Sequence, residues 1–448
     1  HASRMFYYGD VRGDDMQART QGMRSSSCYE MKYTIDDAPN MWNVQYNVLR
    51  RANRLIEAVE NNKITDAEKN QANVNNIYAQ AKSVRALVHF DLVKVYGMPY
   101  SFDNGASMGV PIVTTPIDPL NASAIPGRNT VAEVYTQIVK DLTEAIDSKA
   151  LNVSKSAGDN QGFIDEWAAK ALLTRVYIYM GKNQEALDMA KNIIENSPYS
   201  LWTKAQYANA WDKNNANHIN EMIFELVNSG SDDWADREGI AYLYHEDGYA
   251  DAICTKSFVD MLAQDPSDVR LDVILPVQLK TDDNGKPTDM YKTYGDNRIF
   301  INKFPMGSLG DMRLNNLPIL RLSEVYLNAA EAAAKLNDKT STAKYLNEII
   351  KNRTDDTKQL VTESTATLER VLLERRKELV GEGQRFFDAM RNNETVTRYT
   401  NEDEKGWHYS INKESQVFDR TYFRTILPIP VSETNANPTL KAQQNPGY

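Results

Sequence analysis

The sequence predicts a mainly α-helical protein of stacked helical hairpins, joined by long loops and carrying a little β structure. Three observations predict it. Apolar residues recur at three- and four-residue steps over long stretches, as they do where one face of a helix is buried. One stretch sets Leu173, Tyr177, Gly181, Ala186 and Pro198 where a tetratricopeptide unit sets its large, small and terminating residues. The segments between are rich in Gly, Pro, Asn and aromatic residues, which suits ordered loops.

The opening, MFYYGDVRGDDMQ, is aromatic and then turn-rich, and reads as loop. From Trp42 a helical stripe runs through Val44, Val48, Leu55, Ile56 and Val59. Asn70 to Asn76 reads as a polar connector. A second stripe follows at Ile77, Ala81, Val84, Val88, Leu92 and Val95, and Gly97 ends it. Residues 97–128 form a long loop. Helix returns at Val134, Ile138, Leu142 and Ile146, and a further pair covers 163–181 and 183–196. In such a pair small Ala lets two helices approach, Leu and Tyr fill the gap, and Pro stops the second helix. A similar pair runs from Leu320 to Arg353, with Ala330, Ala334 and Ala343 as its small contacts. The hairpin scaffold is therefore assigned to 42–198 and 317–393 within a single domain, 1–448. Residues 199–316 form an irregular insert with β-like runs MIFELV (222–227) and RIFINKF (298–304) and a turn at TDDNGK (281–286). Residues 394–448 form an irregular tail whose prolines forbid a helix.

Composition excludes several functions. A net charge of −10 argues against a binder of nucleic acid, which wants a basic face. No apolar run approaches the roughly 20 residues that span a bilayer. Cys28 and Cys254 stand alone, without the spacing of a zinc site, and no metal or cofactor is expected. The chain opens on His1, as a trimmed chain would. Serine-hydrolase, metalloprotease, phosphate-loop and dinucleotide fingerprints are all missing. His89 reads as a partnered structural residue, and His245, beside Glu246 and Asp247, as part of a solvated turn. No spacing of acids marks the paired carboxylates of a glycoside hydrolase.

The stretch ERRKELVGEGQRFFDAMRNN (374–393) crowds acids and bases. Glu374 and Glu378 lie one turn apart on a helix, next to Arg375. Glu382 sits between Gly381 and Gly383, and Arg385, Asp388 and Arg391 follow. Arginine forks hold carboxylates bidentately and stay charged, so they make fixed clamps and poor proton shuttles. The cluster reads as a buried ion network with a close helix junction at the glycines.

ERRKELVGEGQRFFDAMR resembles the signature near the C-terminus of the SusD/RagB family. LPILRLSEVYLNAAEAAAKL (317–336) is similar to the helix that precedes it there. ILPIPVSETNANPTLKAQQNPGY resembles the family's closing stretch, AKSVRALVHFDLVKVYGMPY (81–100) its helix-to-loop segment, and GDVRGDDM (9–16) its early Gly-Asp motif. The resemblance implies a SusD-like α-α superhelix of four tetratricopeptide-like hairpins. It also implies an outward-facing, lipid-anchored outer-membrane protein of Bacteroidetes-type bacteria. Such a protein captures oligo- or polysaccharide without catalysis and delivers it to a SusC-like TonB-dependent transporter. Family members carry a lipidated cysteine and a further helical stretch ahead of the Gly-Asp motif, so the anchor rests on the resemblance alone. Peptide cargo is the first alternative; a protein-only helical scaffold and a glycoside hydrolase are the others.

A sugar offers apolar C–H faces and a fringe of hydroxyls, so flat aromatic rings with polar neighbours should grip it. Outside the helical stripes, residues 232–249 offer Trp234, Tyr242 and Tyr244, with Tyr249 beside them. Residues 289–298 offer Tyr291, Tyr294, Asn297 and Arg298, and the loop after Gly97 adds Tyr100 and Phe102. Trp42, Trp167 and Trp202 read as packing residues. The acidic balance suits neutral sugars or basic peptides.

Overall fold

The computed structural model describes residues 2–18, 24–116, 126–211, 218–228, 238–245, 248–274, 299–304, 311–398, 408 and 411–448. Helices dominate. Trp42–Glu60 packs on Gln71–Tyr96, which packs on Val131–Asp147. Glu166–Met180 and Asn183–Asn196 continue the array. After a long excursion the chain returns with Leu322–Lys335, which docks on both helices of the 166–196 pair. Lys339–Lys351 and Leu368–Leu379 complete the stack.

Local chemistry sets the ends. Thr130 and Glu133 form a capping box at the start of Val131–Asp147. The Asp165 carboxylate caps Glu166–Met180, and Gly181 ends that helix at φ +71°. Leu322–Lys335 has neighbours on several sides, and Ala329, Ala330, Ala332 and Ala333 are buried on it. Small side chains let it sit at the centre of the stack.

The β structure ties distant segments together. Met222–Leu226 pairs antiparallel with Leu317–Arg321, closing the excursion at its two ends. Met16–Ala18 pairs with Ala252–Cys254, and Val396–Thr397 with Val417–Phe418. In RIFINKF, Ile299 makes a single bridge to Cys254 and Ile301 packs in the core. TDDNGK lies outside the described residues.

Four readings of the sequence are corrected. The opening is not loop: Ala2–Asp10 is a helix, and Met5, Phe6 and Tyr8 are core residues. Its aromatic run is the signature of burial by tertiary contacts. The stripe on Trp42–Glu60 is right at Ile56 and out of phase at its start. Val44 and Val48 are exposed, while Trp42, Gln45, Leu49, Asn53 and Ile56 face inward. Asn53 is drawn in because its side chain donates to the Val113 carbonyl at 2.8 Å and accepts from Arg85 at 3.1 Å. The polar connector is the first turn and a half of Gln71–Tyr96, polar because it faces solvent. The tail does carry helix, in the short pieces Val431–Ala436 and Pro438–Ala442. Pro430 and Pro438 stand at helix starts, where a missing N–H is no loss.

Trp42, Trp167 and Trp202 are buried, Trp42 between the rings of Tyr46 and Tyr96. Cys28 and Cys254 are buried and are not joined in a disulfide. Among the described residues no helix is long and apolar enough to cross a membrane.

Candidate ligand-binding site

The charged cluster is buried and fully engaged. Glu378 accepts from Arg353 at 2.9 Å and from Arg321 at 3.0 Å, and Arg321 reaches Glu221 at 2.6 Å and Glu382 at 2.7 Å. Lys303 completes Glu382 at 2.7 Å, and Glu374 lies between Arg270 at 2.6 Å and Arg370 at 2.7 Å. On the other face of the same helix Arg375 reaches Asp388 at 3.1 Å and Asn328 at 2.7 Å. Arg391 forks onto Asp388 and Glu331. Arg385 holds Asp14 at 2.6 Å and Glu394 at 2.8 Å.

Burial alone would raise these acids, but the guanidiniums outweigh it. Arg270 and Arg370 hold Glu374 at about 2, and Arg353 and Arg321 hold Glu378 well below the usual range. Carboxylates held this way stay anionic and cannot act as proton donors near neutrality.

The two glycines form a backbone junction. Gly381 and Gly383 have φ of +79° and +73°. The Gly383 N–H donates to Asp10 at 3.0 Å, and the helix Ala2–Asp10 lies directly on this turn.

The aromatic candidates separate. Tyr244 belongs to the core, not to a surface: it is fully buried, and its hydroxyl donates to Asp10 at 2.9 Å. Tyr242 lies two residues earlier on the helix Ile240–Tyr244, roughly 200° around its axis. It therefore turns outward and is half-buried. A tight turn folds Tyr249 back beside it. The Tyr249 N–H donates to the Tyr242 carbonyl at 2.6 Å, and the ring centroids are 5.6 Å apart. Gly248 permits the turn, since a Cβ there would stand 2.6 Å from that same carbonyl oxygen.

Arg24 spreads over the Tyr249 ring at 3.8 Å, anchored by Glu238 at 2.7 Å, and its N–H donates to Asp251 at 2.8 Å. Hydrogen bonding to Glu238 raises the Arg24 pKa further. The turn Met312–Leu314 packs against Ile240–Tyr244 and brings up Arg313, forked on Asp311. Two half-buried rings thus stand among fixed polar side chains. Sequence reasoning missed Arg24, Glu238, Asp311 and Arg313, since no local pattern links them to Tyr242. Trp234, Tyr291, Tyr294, Asn297 and Arg298 lie outside the described residues.

Tyr100 and Phe102 stand elsewhere. Tyr100 is half-buried with its ring against Tyr135 at 5.3 Å, a packing contact. Phe102 is 40% exposed and lines a cavity that Tyr242, Tyr249 and Arg24 do not touch. His89 is buried and partnered, accepting from the Val113 N–H at 3.3 Å. His245 is buried too, at 2% exposure, so the solvated-turn reading is corrected. It caps the end of Ile240–Tyr244, whose packing against Ala2–Asp10 draws it inward. Among the described residues no group of acids, histidines and cysteines could hold a metal ion.

Residues 154–448 match the model of the SusD family, and residues 2–178 match a model described as starch-binding, associating with outer membrane. A SusD superfamily protein from Bacteroides thetaiotaomicron is 38% identical, with a TM-score of 0.87 over 99% of this chain and 95% of that one. Another from Bacteroides vulgatus is 33% identical, with a TM-score of 0.84 over 100% of this chain and 94% of the other. SusD-like protein P25 of Formosa agariphila is 23% identical over 93% of this chain and 80% of its own length. With a family model matched over more than half its length and whole-chain structural likeness, this chain belongs to the SusD family.

Proposed function

We propose that this protein captures a neutral glycan at the outer membrane without cleaving it, and delivers it to a SusC-like TonB-dependent transporter. The Tyr242–Tyr249 pair carries the reading. Its rings offer the apolar faces that sugar C–H groups stack on, and Arg24 and Arg313 border them with donors for hydroxyls. Trp234 and the aromatics of 289–298 are proposed to complete this site. The family supports capture over catalysis, and so do the carboxylates of 374–388, which their arginines hold as anions. The description of the matched amino-terminal model, starch-binding and associating with outer membrane, supports both the class of cargo and the place.

Calorimetry of the purified chain against soluble neutral polysaccharides and short peptides tests the cargo. Saturable glycan binding is expected, with no new reducing ends after long incubation. Tyr249→Ala should weaken it about tenfold, as the loss of one stacked ring would, and Trp234→Ala and Tyr294→Ala should weaken it as well. Binding to peptides alone would transfer the site to the peptide reading, and released product would make the protein a hydrolase. Co-purification of the lipid-anchored protein with a TonB-dependent transporter, from detergent-solubilised outer membranes, tests delivery.

A further inference from the structure

The cavity beside Phe102 has a volume of about 530 Å³, within the range of small-molecule sites. The loop after Gly97 and the C-terminal tail, Phe423 included, line it together with Arg128. Arg128 pins these parts together, and all five of its N–H groups are used. Nε donates to the Gly109 carbonyl at 2.7 Å. One Nη serves the Gln443 carbonyl and the Asn445 side chain, both at 2.7 Å, and the other serves the carbonyls of Tyr96 at 3.0 Å and Met108 at 2.7 Å. The Asn445 amide gives both hydrogens to backbone carbonyls, and Gln444 is closed on the backbone of Ile429.

The cavity is thus rigid, yet its buried polar groups have little left for a ligand. What it presents is apolar: Phe102, Met108, Phe423, Met98 and Ile426. Phe102 and Met108 are 40% and 44% exposed. The Gln443 side chain accepts from the Arg128 N–H at 2.7 Å, while its amide nitrogen donates to none of the described residues. The Arg128 guanidinium has no hydrogen left for an anion. A sugar would lose water from many hydroxyls and regain few partners.

We infer that this cavity is a second binding site, for a neutral aromatic small molecule whose ring lies among Phe102, Met108 and Phe423 and whose polar substituent meets Gln443. Fluorescence titration of the whole chain with N-phenyl-1-naphthylamine tests it. Saturable, blue-shifted binding of one probe per chain is expected, with 2-naphthol as a competitor. Phe102→Ala should weaken it about tenfold. Met108→Trp, which fills the cavity from an exposed position, should abolish it. Tyr249→Ala should leave it unchanged, so this site and the glycan site fail independently. Absence of saturable binding, or equal binding to wild type and both cavity variants, would overturn the inference. Displacement of the probe by a soluble neutral oligosaccharide would overturn it too, since the cavity would then belong to the sugar.

Discussion

At Gly9 and Gly383 two backbones meet with no side chain between them. A Cβ on Gly9 would stand 1.9 Å from the Gly383 carbonyl oxygen, and one on Gly383 would stand 2.7 Å from that of Met5. Neither atom is the end of a flexible side chain, so a substitution must move a helix. Gly9→Ala is expected to lower the stability to urea unfolding by roughly 3 kcal/mol or more, as severe overpacking does. Gly181→Ala is the comparison. That residue also has a left-handed backbone, at φ +71°, but its Cβ would meet nothing within 4 Å. It should lose only the conformational term, about 1–2 kcal/mol. Equal losses in the two variants would mean that contact with Gly383 is not what Gly9 is selected for. The need for glycine at 381 and 383 is legible in the sequence, because acids and bases crowd a turn there. The need at Gly9 is not, because its partner lies at the other end of the chain.

Among the elements, the two parts of the helical stack are held by apolar packing and by a buried ion pair. Arg175, on Glu166–Met180, donates to Glu324, on Leu322–Lys335, at 2.6 Å, and both are nearly buried. Removing one partner leaves a charge in a medium that cannot solvate it. Arg175→Met should therefore cost about 3–5 kcal/mol, and Arg175→Met with Glu324→Leu should recover most of that. Urea midpoints for the two single variants and the double variant measure the coupling. A double variant as unstable as the sum of its singles would show the two residues acting independently. Helix existence and period are legible from stripes such as that over 134–146, because burial on one face leaves that pattern directly; in the 77–95 stripe Ile77 is exposed. Phase is less legible. On Trp42–Glu60 the inward face includes Gln45 and Asn53, which look like surface residues until Val113 and Arg85 supply their partners. The candidate site is the least legible part, because Tyr242 meets Tyr249 through a turn and Arg24 reaches Tyr249 from a distant part of the chain, neither through helical spacing.

Across the whole molecule, the early motif and the late signature are partners. Asp15 bonds Arg376, 361 residues away, Asp14 bonds Arg385, and Asp10 takes the Gly383 N–H. In the sequence the two read as separate signatures; only their opposite charges hint that they meet. Their burial makes stability depend on pH, with opposite signs from different groups. Burial pushes the Asp10 carboxyl up to about 8, against the hydrogen bonds from Tyr244 and Gly383 that lower it. The folded chain then holds a proton that the unfolded chain releases near 3.8, so the contribution of Asp10 to stability falls as pH rises from there through about 8. Burial lowers His89 and His408 to about 3, with help from Arg85 and Arg398 respectively. Below their ordinary 6.5 the unfolded chain takes up protons that the folded one refuses, so stability also falls with acid. Glu374, lowered from 4.5 to about 2, steepens that loss below pH 4.5. Half a proton on each unfolded histidine balances the nearly whole proton on folded Asp10 at about pH 6.5, where the slope of stability with pH vanishes. Urea midpoints measured from pH 4 to 8 should therefore peak near pH 6.5. Asp10→Asn keeps an acceptor for Tyr244 and Gly383 but cannot ionise. It should flatten the limb between pH 6.5 and 8 and steepen the acid limb, because folded Asp10 no longer holds a proton against those taken up by the unfolded histidines. An alkaline limb equally steep in Asp10→Asn would assign that loss to another group.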